Sequence, residues 1–131
     1  MEKNVKSRKS TSPFERLARH NYCYVTTTGR KTGNPHEIEI WFGLKDRSVY
    51  LLSGGGDGSD WVKNIRARPA VTVKIGRQTF SGSARLVSDE EEEKQARRLL
   101  ATKYEQWHEG RPLSRWARTA LVVAIELQGK V

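Results

Sequence analysis

The 131-residue sequence lacks the features that mark several large protein classes. No apolar run approaches the roughly 20 residues of a membrane-spanning helix, and the N-terminus has no apolar core of the kind found in secretory signals. Cys23 is the single cysteine, which excludes a disulfide or a CxxC metal site within one chain. We therefore expect a cytoplasmic protein without a membrane span.

Motifs of the common enzyme classes are also missing. The sequence has no GxSxG, no HExxH and no GxxxxGK[ST]. His20, His36 and His108 are scattered without paired spacing, so no metal site is predicted. The acidic run from Asp89 to Glu93 is better explained as the solvated first turn of a helix than as a cage for a cation.

Positive charge is in clear excess. Lysine and arginine number 24 against 15 acidic residues, which gives a formal charge of +9 and a pI near 10.0. Such a balance favours a polyanionic partner, which could be nucleic acid, an anionic membrane surface or an acidic small molecule. Residues 1–12 are polar and basic and are predicted as a flexible arm, whereas residues 13–131 are predicted as a single domain.

Hydrophobic periodicity and turn residues predict an α-β-β-β-α-β-β-α-β order. An antiparallel sheet of six strands with few crossovers must close or be covered, so we predict a small, mainly β barrel of the α+β class with flanking helices. The expected helices begin at Ser12, Ser59 or Asp60, and Ser88, and the expected strands are Tyr22–Thr28, His36–Phe42, Ser48–Leu52, Val71–Ile75, Gln78–Val87 and Ala120–Leu127.

A polar loop with two glycines joins the first two predicted strands. Its residues, Thr26 to Gly33, include Arg30 and Lys31 beside Gly29. Glycine allows close approach to the backbone, and cations placed there suit a phosphate or carboxylate. The alternative is an ordinary hairpin loop with solvated cations.

A second glycine-rich segment, Ser53 to Gly58, follows the third predicted strand and is expected to be mobile. If the first three strands form a meander, both loops leave the same end of the sheet. The helix that begins at Ser59 or Asp60 would then add free N–H groups to the anion site.

In these residues the chain resembles the deazaflavin-dependent nitroreductase family. The resemblance rests on Thr26-Thr27-Thr28-Gly29-Arg30-Lys31-Thr32-Gly33, on Trp41-Phe42, on Val49 to Ser53 with its glycine loop, and on Trp61 to Val73. It implies a split β-barrel related to the pyridoxamine-phosphate-oxidase type. It also implies coenzyme F-420, an 8-hydroxy-5-deazaflavin with a phosphate and an oligoglutamate tail.

The resemblance further implies a set of cofactor-binding residues. Arg30, Lys31 and Thr32 would hold the phosphate, next to Thr28. Ser53, Gly54 and Gly55 would line the deazaflavin ring, and Trp61, Lys63 and Asn64 would flank the same cleft. The implied reaction passes a hydride from the reduced coenzyme to a small electron-poor acceptor, such as a quinone, a nitro compound or an activated C=C bond.

Several alternatives stay open from the sequence. The protein could bind FMN or haem instead of the deazaflavin, and Gly54 and Glu39 depart from the usual family pattern. A basic nucleic-acid-binding module is the alternative from another class, with Trp41, Tyr50, Trp61, Trp107 and Trp116 as stacking platforms. Tyr22, Tyr24, Tyr104 and Ser53 are all potential proton donors, and no catalytic side chain is assigned. Related barrels often pair, so a homodimer is also expected.

Overall fold

The computed structural model describes residues 13–131, and the predicted flexible arm at residues 1–12 lies outside them. The described chain has four α-helices, one 3-10 turn and seven strands. In chain order they are α1 (Pro13–Leu17), β1 (Cys23–Thr28), β2 (Pro35–Ile40), β3 (Gly43–Lys45), β4 (Ser48–Ser53), the 3-10 turn (Gly56–Gly58), α2 (Asp60–Ala67), β5 (Ala70–Ile75), β6 (Gln78–Leu86), α3 (Glu90–Glu105), α4 (Arg115–Thr119) and β7 (Leu121–Lys130).

The strands form one antiparallel sheet in the order β2-β1-β5-β6-β7-β4-β3. Alternating burial along β1 and β5 turns one set of side chains into the main core, where Val25, Val73 and Ile125 are fully buried. This half-barrel with flanking helices confirms the predicted α+β, mainly β architecture. The sheet has seven strands rather than the six that the sequence predicted.

The additional strand, β3, lies between the predicted second and third strands, and the second strand also ends earlier than predicted. Strand β2 stops at Ile40, and the chain turns before β3 pairs with β4. At Phe42 the backbone N–H donates to the Tyr104 hydroxyl at 3.0 Å, and the Phe42 carbonyl accepts from Lys103 Nζ at 3.0 Å. Side chains of α3 thus satisfy backbone groups that a continuous strand would have given to a neighbouring strand.

The predicted meander of the first three strands is wrong, because β1–β2 and β3–β4 form hairpins at opposite edges of the sheet. Helix α2 nevertheless brings the two glycine-bearing loops together. It begins at Asp60, directly after the second loop, and it packs against β1. The second loop itself contains the 3-10 turn, so it is more regular than its four glycines suggested.

Helix α3 covers the opposite part of the sheet. Its N-cap is Asp89, whose carboxylate accepts from the Glu92 N–H at 2.8 Å, and not Ser88 as predicted. Ala96 and Leu100 of α3 form a second buried cluster with Val122 and Ala124 of β7. Among residues 13–131, no helix is both long and apolar enough to cross a membrane.

Candidate functional site

A cavity of 260 Å³, which we call the cation cavity, opens between the first glycine loop and the start of α2. It collects four of the ten predicted cofactor-binding residues, and its full lining is Gly29, Arg30, Lys31, Thr32, His36, Asp60 and Asn64. The β1–β2 loop, strand β2 and helix α2 therefore contribute to it. The loop that joins β1 to β2 supplies its cations, which is the placement that the sequence predicted for an anion site.

Asn64 holds this loop in place from the buried face of α2. Its side chain is 2% exposed, and its Nδ2 donates to Thr27 Oγ1 at 3.0 Å. Its Oδ1 accepts from the Arg30 backbone N–H at 3.2 Å and from Arg30 Nη1 at 2.8 Å. All three bonds join elements that are far apart in sequence, so Asn64 shapes the loop, and both acceptor positions of its Oδ1 are used.

Arg30 and Lys31 are in different environments although they are adjacent. The Arg30 guanidinium contacts Asp60 Oδ1 at 3.3 Å as well as Asn64, and its side chain is 25% exposed. Lys31 is exposed and makes no hydrogen bond or ion pair within the part of the chain that the structure describes. Lys31 is thus the cation that an incoming anion meets without displacing a partner.

The remaining loop groups complete a cradle for an anion. Thr32 Oγ1 accepts from the Asn34 N–H at 3.1 Å, which leaves the hydroxyl hydrogen free to donate. A Cβ at Gly29 would lie 2.8 Å from His36 Nε2 and 3.0 Å from Thr32 Oγ1. A side chain at Gly29 would therefore displace the His36 ring or the Thr32 hydroxyl, both of which line the cavity.

The second glycine loop is tied to the start of α2 through two serines. Ser53 is buried, and its hydroxyl donates to the Gly56 carbonyl at 2.9 Å and contacts Ser59 Oγ at 3.0 Å. Gly54 and Gly55 are exposed and present bare backbone to solvent. At Gly54 no atom lies within 4 Å of the Cβ position, so a flat ring could approach the backbone closely there, whereas the Ser59 hydroxyl lies 2.5 Å from the Cβ position of Gly55.

The structure does not bring the other predicted residues into the cation cavity. Thr28 ends β1 and lines a neighbouring groove with Gly33 and Val71. Trp61 is half-buried and packs against the main core, and Lys63 is exposed on α2. A tryptophan at helical spacing is more often part of a core, and this contact agrees with that expectation.

An aromatic cleft of 260 Å³ lies at the other end of β2. We use this name for the space lined by Tyr22, Glu39, Ile40, Trp41, Leu52 and Trp116. Trp41 stacks flat on Tyr104 with ring centroids 4.3 Å apart, and Trp116 meets Trp41 edge-on at 5.5 Å. The sequence pattern indicated the exposed face of β2 but not this cleft, because Tyr104 and Trp116 come from distant helices.

Tyr104, the ring that lies beneath Trp41, is held in place by its own hydrogen bond, and Lys103 is its neighbour on α3. The Tyr104 hydroxyl lies 2.7 Å from the Asn21 carbonyl, and burial raises its pKa. Burial lowers the pKa of Lys103 to about 8, and its ammonium lies 3.8 Å from the centre of the Phe42 ring. A second tyrosine, Tyr24, donates to Glu39 Oε1 at 2.9 Å, and this hydrogen bond is the main cause that raises its pKa to about 12.

Comparison with known proteins places these features in a family. The sequence model of the F420H(2)-dependent quinone reductase family matches residues 2–126. The chain belongs to this family. The predicted relationship to deazaflavin-dependent enzymes and the prediction of coenzyme F-420 as cofactor are confirmed, and the protein is an oxidoreductase.

Solved structures share the fold of this family member at low sequence identity. A proposed 5-nitroimidazole antibiotic resistance protein from Bacteroides thetaiotaomicron is 16% identical with a TM-score of 0.73, over 99% of this chain and 82% of that one. An F420-H2 dependent reductase is 24% identical with a TM-score of 0.63, over 81% and 94%. The haem storage protein HutZ from Vibrio cholerae is 13% identical with a TM-score of 0.67, over 99% and 96%.

The donors of the cation cavity fit the anionic part of this cofactor. An exposed ammonium, a threonine hydroxyl and a glycine cradle match what a phosphate needs. Among residues 13–131 no group of three or more His, Cys, Asp or Glu side chains could hold a metal ion. The cavity lining combines the cations Arg30 and Lys31 with the carboxylate of Asp60, which pairs with Arg30.

Proposed function

We propose that this protein uses reduced coenzyme F-420 to reduce a small electron-poor acceptor, such as a quinone, a nitro compound or an activated C=C bond. The observation that carries the proposal is a continuous series of contacts from the cation cavity to the aromatic cleft. Arg30 contacts Asp60 at the start of α2, Ser59 contacts Ser53, and the preceding residue, Leu52, lines the aromatic cleft. An elongated cofactor with an anionic tail and a flat ring suits such a surface.

In this proposal each part of the surface has one task. Lys31 and Thr32 bind the phosphate, and Arg30 keeps the loop in shape through Asn64 and Asp60. Gly54 and Gly55 let the ring approach the backbone. The coenzyme, when bound, supplies the two-electron reduction of the acceptor, and the protein supplies binding and orientation.

The acceptor would lie in the aromatic cleft next to the second glycine loop. Exposed Trp41 offers a flat apolar surface, and the cleft is open to water, which can supply the proton that accompanies reduction. The Ser53 and Tyr104 hydroxyls are already bonded to backbone carbonyls, and that of Tyr24 is bonded to Glu39. The fourth candidate, Tyr22, is exposed in the lining of the aromatic cleft. We assign no side chain as the proton donor, since water reaches the same cleft.

Titration of the pure protein with F-420, followed by the fluorescence of the deazaflavin, tests the proposal. We expect Arg30→Ala/Lys31→Ala to bind the coenzyme at least about tenfold more weakly, since a charge-assisted bond from Lys31 contributes about 1.5–3 kcal/mol and the loop also loses the support of Arg30. The control Lys74→Ala/Arg77→Ala removes the same charge from an exposed position on β5 and the β5–β6 turn and should bind normally.

Three outcomes would contradict the proposal. Equal loss of affinity in both double variants would mean that only net charge matters. Unchanged affinity in Arg30→Ala/Lys31→Ala with an intact circular dichroism spectrum would make the loop a plain turn. Binding of FMN or single-stranded DNA, but not of F-420, would favour one of the alternatives.

Turnover is then measured with reduced F-420 and a naphthoquinone.

The proposal extends to assembly and location. The two outer strands of the sheet, β2 and β3, each have one unpaired edge, and such edges can pair with another chain. We propose a homodimer, for which light scattering should give about twice the 14.9 kDa of one chain; a mass of one chain would overturn this part. Residence in the cytoplasm stays a prediction that cell fractionation tests.

A further inference from the structure

The lining of the aromatic cleft combines apolar rings with a single charged group. Five of its six lining residues are aromatic or aliphatic, and Glu39 is the exception. A cleft of this composition recognises a flat, largely apolar molecule and one polar substituent on it. The carboxylate of Glu39 is therefore the group that can distinguish between acceptors with different polar substituents.

The rings form a rigid platform. Trp41 has one face on Tyr104, with the two rings parallel at 0°, while 47% of its side chain stays exposed. Trp116 stands at 85° to Trp41 and forms a wall beside it. Since stacked and edge-to-face contacts are the preferred aromatic geometries, a one- or two-ring acceptor can lie on Trp41 with its edge towards Trp116.

Glu39 lies on the same exposed face of β2, two residues before Trp41. Its Oε1 accepts from the Tyr24 hydroxyl at 2.9 Å, which holds the carboxylate at the cleft. Its Oε2 has no hydrogen-bond partner within residues 13–131. This oxygen can accept a hydrogen bond from a ligand, attracts a cationic substituent and repels an anionic one.

We propose that the aromatic cleft selects flat aromatic acceptors with a cationic or hydrogen-bond-donating substituent and discriminates against carboxylates, with Glu39 as the specificity-determining residue. This inference rests on the proposed function only in calling the ligand an acceptor. The two ends of the site would then have opposite charge preferences. Anions bind at Lys31, and cations or donors bind at Glu39.

Quenching of tryptophan fluorescence tests the proposal on the full chain without cofactor. The probes are para-nitrobenzylamine, which carries an ammonium, and para-nitrobenzoate, which carries a carboxylate on a similar ring. We expect the wild type to bind the amine roughly fivefold more tightly or better, as one partly exposed charge pair would give. Trp41→Leu should weaken the binding of both probes.

The decisive variant is Glu39→Gln, which keeps the shape and removes the charge. It should reduce the preference for the amine to less than about twofold. Glu37→Gln is the matched control, since Glu37 is exposed on the same face of β2 but does not line the cleft, and it should keep the full preference.

The outcomes separate this inference from the proposed function. Equal binding of both probes by the wild type, or an unchanged preference in Glu39→Gln, would overturn the role of Glu39. No binding of either probe together with normal F-420 binding would overturn the cleft as the acceptor site and leave the cofactor site standing. If the wild type fails to bind F-420, the proposed function is overturned, whatever the two probes show.

Discussion

Arg30 and Lys31 occupy consecutive positions, but they differ in what their charges contact. The guanidinium of Arg30 has Asn64 and Asp60 as partners, and the ammonium of Lys31 faces solvent without a partner in the described residues. A guanidinium that is already bonded stabilises the protein before any ligand arrives. An unpaired ammonium has no such role in the fold, so in the proposed site we expect Lys31 to act in binding alone.

Single substitutions should therefore separate stability from affinity. Arg30→Ala removes bonds to Asn64 and Asp60, and we expect it to lower the free energy of unfolding by about 1 kcal/mol and to weaken F-420 binding. Lys31→Ala should weaken F-420 binding and leave the free energy of unfolding within about 0.5 kcal/mol. Urea unfolding and coenzyme titration measure the two quantities. An equal loss of stability in both variants would contradict the division of roles.

The residue types at this site could be predicted from the sequence, but their partners could not. Glycine, cation and hydroxyl within eight residues indicated an anion loop, and Arg30, Lys31, Thr32 and Asn64 do line one cavity. The pairing of Arg30 with Asp60 spans 30 residues. No local pattern encodes such a contact, because it depends on how α2 packs against β1.

At the scale of elements, the contact between strands β6 and β7 is crowded at Gly82. Gly82 is buried on β6, and the register between the two strands shifts between Ser81 and Gly82. A Cβ built at Gly82 would lie 2.6 Å from Ile125 Cγ2 and 3.1 Å from the Glu126 carbonyl oxygen. Gly82 thus marks a place where β6 and β7 leave no room for a methyl group unless Ile125 moves.

Gly82→Ala should consequently strain the β6–β7 contact. We expect it to lower the free energy of unfolding by about 1–3 kcal/mol, as overpacking of a core does. Gly129→Ala on β7 is the control, because no atom lies within 4 Å of the Cβ position there, and it should be close to neutral. Urea midpoints compare the two variants, and a neutral Gly82→Ala would show that Ile125 can move aside.

The hydrophobic pattern predicted most elements correctly and failed where a distant side chain intervenes. The alternation of Ile38 and Ile40 with Glu37 and Glu39 indicated the faces of β2, and their burial agrees with it. The end of β2 was placed too late because Tyr104 bonds the Phe42 backbone from 62 residues away. Strand β3 was missed because its three residues are too few for a hydrophobic alternation.

At the scale of the whole molecule, a charged cluster joins helix α3 to three strands. Arg85 on β6 donates to both carboxylate oxygens of Glu92 on α3, at 2.9 and 2.7 Å, and to Glu126 on β7 at 2.8 Å. Tyr50 on β4 donates to Glu92 at 2.7 Å. The hydrogen bonds from Arg85, and then that from Tyr50, lower the pKa of Glu92 from its usual value of 4.5 to about 2.

The lowered pKa of Glu92 predicts how the free energy of unfolding depends on pH. Because Glu92 binds protons more readily in the unfolded chain, its contribution is fully present above about pH 4.5 and is lost as the pH falls towards about 2. Glu92→Gln should therefore lower the free energy of unfolding at neutral pH by about 1 kcal/mol, a value discounted for solvent screening because Arg85 is 45% exposed. Near pH 2 the variant and the wild type should have similar urea midpoints.

Glu91→Gln is the matched control for this prediction. Glu91 shares the first turn of α3 with Glu92, so both carboxylates interact with the same helix dipole, but Glu91 is exposed and has no polar partner in the described chain. If the helix dipole alone were responsible, the two variants would lose stability equally. A loss confined to Glu92→Gln, and one that disappears in acid, would show that the Arg85 cluster holds α3 against the sheet, the same helix that positions Tyr104 beneath Trp41.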